Sequence, residues 1–125
     1  MAKILIAEDE PDIRNLITLT LRHAGHEVAT ADDGQAAYER AREVAPALII
    51  LDVKMPRMNG YEACKRIKAD PALKDVPVVF LTVRGADREV QEGFEAGAAE
   101  YLVKPFAPAE LIQCVARLLA QPKAP

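Results

Sequence analysis

The stretch LIILDVKMPRMNG, residues 48–60, decides the fold of this chain. Its first four residues are apolar without interruption, which is typical of a strand buried on both faces of a parallel sheet. Asp52 follows directly, so it lies at the carboxyl end of that strand, where open α/β sheets bind ligands. Met55-Pro56 and Asn59-Gly60 predict a loop, because proline fixes φ and glycine tolerates positive φ. The stretch alone leaves two interpretations of Asp52 open: a group placed for chemistry, or a cap of the next turn.

Length and composition favour a single ordinary globular domain. The chain has 125 residues, of which 50% are hydrophobic and 28% are charged, enough to bury one core. Its net charge of -3 argues against a nucleic-acid surface, which is normally basic. Residues 1–10 lack the apolar core of a signal peptide. No apolar run approaches the roughly 18 residues of a membrane span, so we expect a cytoplasmic protein without membrane contact.

Apolar strands and amphipathic helices alternate along the chain. The predicted strands are residues 3–7, 26–31, 48–51, 77–81 and 100–103. The predicted helices begin near Pro11, Gly34, Asn59, Asp87 and Pro108, with Asn59 as a good N-cap and Ala107 as a poor one. Five strands alternating with five helices predict a parallel sheet with right-handed crossovers and helices on both faces.

Polar residues follow four of these strands, and parallel strands bring their carboxyl ends to one edge of the sheet. They are Glu8-Asp9, Asp52, Thr82 and Lys104. Crowded acids repel each other unless a cation is present, and a small cluster of carboxylate oxygens suits Mg²⁺. Asp9, Asp52 and a loop carbonyl can supply three metal ligands, while Lys104 and Thr82 can contact a phosphoryl group. A carboxylate such as Asp52 can itself be the nucleophile that forms an aspartyl-phosphate.

Each of these residues, taken singly, also has an ordinary structural explanation. Glu8 and Asp9 can cap the first helix, and Thr82 can be a plain strand residue. Lys104 can be a solvated surface lysine, and Tyr101 a half-buried strand tyrosine. Only the occurrence of these residues together indicates a functional site.

The sequence resembles a CheY-like receiver domain of two-component response regulators, from Lys3 to about Leu119. The resemblance rests on Glu8-Asp9, Asp52 with Met55-Pro56 and Asn59-Gly60, Leu81-Thr82, Gly97-Ala98, and the run from Tyr101 to Lys104-Pro105-Phe106. It implies an α/β, flavodoxin-like (βα)5 fold: a doubly wound parallel five-stranded sheet in the order 2-1-3-4-5, as a single receiver domain over residues 1–125. It also implies a cis peptide before Pro105.

The resemblance further implies what the site residues do. Asp52 would accept a phosphoryl group from a histidine kinase or phosphotransfer protein. Mg²⁺ would be held by Glu8, Asp9, Asp52 and the backbone carbonyl of Lys54. The chain would then be a phosphoacceptor that labels itself from small donors and slowly loses the label, and not an enzyme with an external substrate.

Three residues match the switch positions of the family. Thr82 and Lys104 would follow the charge of the phosphoryl group, and Tyr101 would move as Thr82 moves. The expected output is a protein contact on the face formed by the fourth helix, the last strand and the fifth helix. No direct contact with nucleic acid is expected.

The chain departs from the family pattern near the site and on the output face. Val83 stands where a smaller alanine is usual, and Lys54 and Arg84 place basic side chains at two variable positions. Dimerising regulators with winged-helix DNA-binding domains usually carry charges where this chain has Ala99, Cys114 and Ala116. We therefore expect a monomer that is either a stand-alone receiver or a receiver cut from a longer transcription regulator.

Two rival functions fit the strand pattern less well. A phosphatase with an aspartyl nucleophile usually has a second acid two residues later, where this chain has Lys54. A flavodoxin-like cofactor binder needs a phosphate-binding loop after the first strand, and the acidic run Glu8-Asp9-Glu10 would repel one.

The two cysteines, Cys64 and Cys114, match no metal or redox spacing and are expected in the core. The implied strand order puts them on helices that cover opposite faces of the sheet. A disulfide needs Cα atoms within about 7 Å, so none is expected between them.

Overall fold

The structure is a computed structural model that describes residues 2–83 and 97–120. Its strands are β1 (Lys3–Ala7), β2 (Glu27–Ala31), β3 (Leu48–Asp52), β4 (Val78–Val83) and β5 (Glu100–Lys104). Its helices are α1 (Pro11–His23), α2 (Gly34–Val44), α3 (Gly60–Ala69) and a C-terminal helix (Pro108–Ala120). The helix that was predicted to begin at Asp87 lies outside the described residues. So do Arg84 and the side chain of Val83.

The strands form one parallel sheet in the order β2-β1-β3-β4-β5, which confirms the predicted topology. The register brings the carboxyl ends of the strands level with one another. Ala7 pairs with Leu51, Asp52 with Leu81, and Thr82 with Val103. The residues that end or follow β1, β3, β4 and β5 are thereby collected at one edge.

Two apolar clusters cover the two faces of the sheet. One cluster contains Ile17 and Leu21 of α1 together with Leu111 and Leu118 of the C-terminal helix. The other contains the small residues Ala37 and Ala41 of α2 and the inward side of α3. Cys64 lies in the second cluster and Cys114 in the first; both are buried, and no disulfide joins them, as predicted.

The helix ends follow local chemistry. Asn59 and Glu62 form a reciprocal capping box at the start of α3, as the Asn59 prediction required. Asp33 caps α2 by accepting the N–H of Ala36 at 2.8 Å. Ala107 has no side chain with which to cap the C-terminal helix, but its own N–H donates to Glu110 at 3.0 Å.

Some predicted boundaries were wrong by one or two residues. β4 begins at Val78 and runs to Val83, because its last residues pair with Val103 and Lys104 of β5. α2 ends at Val44, and its C-cap residue Ala45 adopts a left-handed conformation before Pro46. The peptide between Lys104 and Pro105 is cis, as expected. Within residues 2–83 and 97–120, every helix is too short or too polar to cross a membrane.

Candidate functional site

Three carboxyl groups meet where β1 and β3 end. Glu8 and Asp9 follow β1, Asp52 is the last residue of β3, and ligand oxygens of all three lie within 4.8 Å of one another. Glu8 is fully buried, Asp52 is nearly so, and Asp9 is exposed. The two strands are neighbours in the sheet, so the fold itself imposes this crowding of negative charge.

Lys104 enters the cluster from β5. Its Nζ lies 2.9 Å from Oε1 of Glu8 and 3.1 Å from Oδ1 of Asp52. Burial alone would lower the pKa of Lys104, but its hydrogen bonds to the two carboxylates and their charges outweigh burial and raise that pKa. Lys104 is therefore a firmly charged ammonium that binds two acids at once.

One lysine does not neutralise three acids. Burial and the neighbouring Asp52 carboxylate together outweigh the attraction of Lys104 and raise the pKa of Glu8 to about 8. Because neighbouring negative charges repel each other, Glu8 tends to hold a proton near neutral pH. The cluster is thus short of positive charge.

Two buried polar atoms among the described residues have no hydrogen-bond partner. They are Oε2 of Glu8 and Oγ1 of Thr82. Such an atom costs about 1–3 kcal/mol when it is left unsatisfied, so its presence in a native structure calls for an explanation. Both atoms belong to the sheet edge that holds the acids, which is consistent with a site that is completed by a ligand.

Asp9, Asp52 and Thr82 line an open cleft of about 240 Å³. Its lining residues are Asp9, Asp52, Val53, Lys54, Leu81, Thr82 and Lys104. The donor set consists of hard oxygen atoms with excess negative charge, and Mg²⁺ favours this chemistry over the nitrogen and sulfur ligands of transition metals. The residues present therefore fit a magnesium ion.

The loop between β3 and α3, residues 53–59, is held at its base. The N–H of Gly60 donates to the carbonyl of Val53 at 2.9 Å, which closes the loop on itself. A Cβ atom at Gly60 would overlap the backbone carbonyl of Asp52, so only glycine lets α3 start this close to the strand end. Lys54 follows this base and lines the cleft.

Tyr101 lies outside the lining of the cleft. Its ring is half-buried on Phe80, with ring centres 5.6 Å apart and planes tilted by 33°. Tyr61 packs on the same Phe80 at 5.1 Å, edge to face. The three rings form a continuous row on the α2–α3 side of the sheet, and Thr82 is two residues beyond Phe80 on β4.

The structure brings the predicted site residues together except for Tyr101, which is linked to them through β4. Sequence reasoning missed the apolar walls Val53 and Leu81, for which the pattern gives no signal beyond burial. It also missed Arg14, whose guanidinium donates to the backbone carbonyl of Glu8 at 2.9 Å. Every residue has a backbone carbonyl, so no pattern in the sequence around Arg14 indicates that its side chain binds the carbonyl of Glu8.

The sheet order and the acidic cleft define a class of protein. The sequence model of the response regulator receiver domain matches residues 4–116. The chain belongs to the family of response regulator receiver domains.

Two curated relatives are DNA-binding regulators. The chain is 38% identical over 119 residues to the DNA-binding dual master transcriptional regulator RpaA of Synechocystis sp., an overlap that covers 95% of this chain and 49% of the relative. It is 38% identical over 110 residues to the DNA-binding response regulator MtrA of Mycolicibacterium smegmatis, covering 88% and 47% respectively. The chain spans about half the length of the curated relatives it matches.

Solved structures give the same fold. The chemotaxis response regulator CheY4 of Vibrio cholerae is 39% identical with a TM-score of 0.89, covering 94% of this chain and 98% of that chain. The receiver domain of the sensor histidine kinase PA1611 from Pseudomonas aeruginosa PAO1 is 31% identical with a TM-score of 0.90, covering 96% and 98%. The PA1611 structure has a magnesium ion coordinated in its active-site cleft.

Proposed function

We propose that this chain is a phosphorylation-activated signalling switch in which Asp52 accepts a phosphoryl group from a histidine kinase or a phosphotransfer protein. The observation that carries the proposal is the meeting of three carboxyl groups and one lysine beside a buried hydroxyl without a partner. A cation offsets the excess negative charge of the acids, and a phosphoryl oxygen gives the hydroxyl of Thr82 an acceptor.

The chemical step is a displacement at phosphorus. A carboxylate oxygen of Asp52 gives an electron pair to phosphorus, while the bond from phosphorus to the donor's histidine nitrogen breaks and leaves its pair on that nitrogen. Asp52 reacts as the carboxylate and has no proton to lose. Lys104, 3.1 Å from Oδ1 of Asp52, stabilises the negative charge brought by the phosphoryl group.

Mg²⁺, when bound, supplies the positive charge that lets phosphoryl oxygens approach an acidic cleft. We assign Glu8, Asp9, Asp52 and the backbone carbonyl of Lys54 to holding it. Glu8 contributes from behind, because it is fully buried and also binds Lys104 at 2.9 Å. Asp9 is exposed beside the cleft and can reach an ion there.

The switch depends on Thr82 and Tyr101. Phosphorylation adds about -1.5 to -2 charges and three acceptor oxygens at Asp52. Thr82 then donates to one of those oxygens, and its movement changes the packing beside the row of rings that ends in Tyr101. Only a partner that binds the two states with different affinity can read this change, and the surface around Tyr101 is our candidate for that contact.

The same proposal covers the behaviour of the whole chain. We expect self-phosphorylation from small donors and slow autodephosphorylation, but no turnover of an external substrate. We expect a cytoplasmic monomer that signals through protein partners and does not itself bind nucleic acid.

A second candidate keeps the chemistry and changes the output. RpaA and MtrA are DNA-binding regulators, and this chain matches 49% and 47% of their lengths. On that basis the second candidate is the receiver part of a longer transcription regulator. An activated dimer in light scattering, formed through the face around Tyr101, would favour this candidate over the stand-alone receiver.

Labelling with acetyl phosphate tests the proposed function. With Mg²⁺ present, the wild-type chain should take up one phosphoryl group per molecule and then stop. Asp52→Asn and an excess of EDTA should each abolish labelling, and Asp32→Asn, which changes an exposed acid outside the cluster, should not. Continuous release of phosphate at many turnovers would instead indicate a phosphatase, and full labelling of Asp52→Asn would remove Asp52 from its role.

A further inference from the structure

Asp33 is a buried acid that the proposed phosphoryl chemistry does not use. Only 3% of it is exposed, although it lies outside the acid cluster of the cleft. Its Oδ1 caps α2 through the N–H of Ala36. Its Oδ2 lies 3.4 Å from Nη1 of Arg57, which belongs to the loop of residues 53–59. One carboxylate therefore joins the start of α2 to the loop that follows Asp52.

Gly34 brings the same two segments into direct backbone contact. A Cβ atom built at Gly34 would overlap the carbonyl oxygen of Met58, and it would lie 2.7 Å from the carbonyl carbon and 2.9 Å from Cβ of Met58. Real Cβ atoms essentially never approach other atoms this closely, and backbone cannot swing aside as a side chain can. The first turn of α2 thus sets how far the tip of the loop can lie from the sheet.

The tip of the loop is itself tightly wound. Arg57 has a positive φ of 66°, an uncommon conformation for a residue with a side chain, and the N–H of Met58 donates to the carbonyl of Pro56 at 2.7 Å. The Arg57 side chain is 78% exposed, so its ion pair with Asp33 is a weak restraint. The contact between Gly34 and Met58 is the stronger of the two.

The loop is therefore held at two points: at its base by the Gly60 hydrogen bond, and at its tip by the contact with α2. Lys54 lies between these two anchors and lines the cleft. The proposed function assigns its backbone carbonyl to Mg²⁺, and a carbonyl oxygen can be aimed only by the path of the main chain. Whatever holds the tip of the loop consequently aims that oxygen.

We propose that Asp33-Gly34 is a positioning element for the metal site, which sets the path of the loop of residues 53–59 and thereby the direction of the Lys54 carbonyl. The inference rests on the proposed function only for the identity of the ligand. Residues that orient metal ligands in this way typically change metal affinity by about 10-fold to 100-fold when altered.

Calorimetric titration with Mg²⁺, without any phosphoryl donor, tests the inference on the full chain. Gly34→Ala should weaken Mg²⁺ binding by about 10-fold or more. Alanine otherwise favours a helix over glycine, so a weakened site cannot come from helix propensity. Gly25→Ala is the matched control: Gly25 has a positive φ of 98° with no atom within 4 Å of a built Cβ, and it lies before β2 at the other end of the sheet. It should lower stability and leave the Mg²⁺ affinity unchanged.

A second variant covers the case in which Gly34→Ala does not fold. Asp33→Ser keeps a side chain that can cap α2 but removes the ion pair with Arg57. It should weaken Mg²⁺ binding by a smaller factor than Gly34→Ala. A folded Gly34→Ala with wild-type affinity overturns the inference, and if that variant is unfolded, wild-type affinity in Asp33→Ser overturns it.

Rates of labelling separate this inference from the proposed function. In Gly34→Ala the Mg²⁺ concentration that gives half the maximal labelling rate should rise, while the rate at saturating Mg²⁺ should stay near that of wild type. Wild-type protein that binds Mg²⁺ but never labels would contradict the proposed function and leave the positioning role standing. An unchanged Mg²⁺ requirement in a labelling-competent Gly34→Ala would contradict the positioning role alone.

Discussion

In the middle of the sheet, Ile50 and Phe80 are fully buried among apolar side chains. Two residues further along the same strands, Asp52 is buried beside Glu8, Asp9 and Lys104, and the buried Thr82 lines the same cleft. Each apolar residue of the first kind stabilises the fold by about 1.5–3 kcal/mol through burial. Asp52 and Thr82 instead bring crowded charge and a hydroxyl without a hydrogen-bond partner to the carboxyl edge of the sheet. The edge therefore lowers the free energy of unfolding, and the apolar residues in the middle of the sheet offset that loss.

We therefore expect stability and the proposed function to depend on different residues of the same strand. Substitutions in the middle should change the free energy of unfolding and leave phosphoryl acceptance intact. Substitutions at the edge should change phosphoryl acceptance, and some of them should stabilise the protein.

The largest expected effect is in the apolar interior, away from the carboxyl edge of the sheet. Ile4→Ala removes a fully buried side chain at the amino end of β1 and should lower the free energy of unfolding by about 3 kcal/mol. The folded fraction should still label with acetyl phosphate at the wild-type rate. Urea unfolding and labelling, each compared with Leu19→Ala at a position that is 65% exposed, check both statements.

Removal of Lys104 should show how much the crowded acids destabilise the protein when their shared cation is absent. Lys104→Met leaves Glu8 and Asp52 without their shared cation and should lower the free energy of unfolding by about 2 kcal/mol. This is less than the 3–5 kcal/mol of a broken buried pair, because the raised pKa of Glu8 already leaves much of that carboxyl uncharged at neutral pH. Chemical denaturation at neutral pH measures the loss, and an unchanged stability would show that the acids do not depend on Lys104.

A gain of stability is expected when the unpartnered hydroxyl is removed. Thr82→Val keeps the shape of the side chain and should raise the free energy of unfolding by about 1 kcal/mol. The same change should permit labelling but reduce the spectral response of the tyrosines to it. Thr30→Val, at an exposed position of β2, is the control, and a full tyrosine response in Thr82→Val would exclude Thr82 from the switch.

The smallest effect concerns Asp70, a carboxylate whose partners are all in place. The N–H of Ala72 donates to it at 2.9 Å, the hydroxyl of Tyr38 donates at 3.0 Å, and Arg42 lies at 3.5 Å. The bond from Ala72, followed by Tyr38 and the charge of Arg42, holds the pKa of Asp70 below its ordinary value of 3.8. Because the folded pKa is depressed, the stabilisation is complete above the ordinary value and is lost as pH falls through the folded pKa.

Asp70→Asn should therefore make the free energy of unfolding less sensitive to acid below that ordinary value. Urea unfolding across the acid range measures this, with Glu39→Gln on the exposed side of α2 as the control. An identical acid response in Asp70→Asn and wild type would show that the three contacts do not stabilise the charged form.

The parallel sheet and the polar residues of the cleft could be predicted from sequence because each depends on a strong local signal. The order of the strands was expected only from the resemblance to the family. Uninterrupted apolar runs define the buried strands, and parallel topology then brings Glu8, Asp52 and Lys104 to one edge without further information. Asn59 was a correct cap for the same reason, since capping is a matter of local hydrogen bonding.

What could not be predicted depends on distances between segments remote in the chain. Nothing near Gly34 in sequence reveals that its hydrogen atom faces the carbonyl of Met58, and nothing near Arg14 reveals its bond to Glu8. The end of β4 was missed because its last residues are held by pairing with β5 and not by their own pattern. The roles of Thr82 and Tyr101 in a switch remain predictions.

The proposed role of Asp52 is tested most directly by locating the phosphoryl group chemically. The wild-type chain is treated with acetyl phosphate and Mg²⁺ and then reduced with borohydride, which converts an aspartyl-phosphate into homoserine and releases phosphate. Peptide mass spectrometry should find homoserine in place of aspartate at position 52 and at no other acid, and none when EDTA replaces Mg²⁺. Homoserine at position 9 or 33 with an unaltered Asp52 would contradict the central claim.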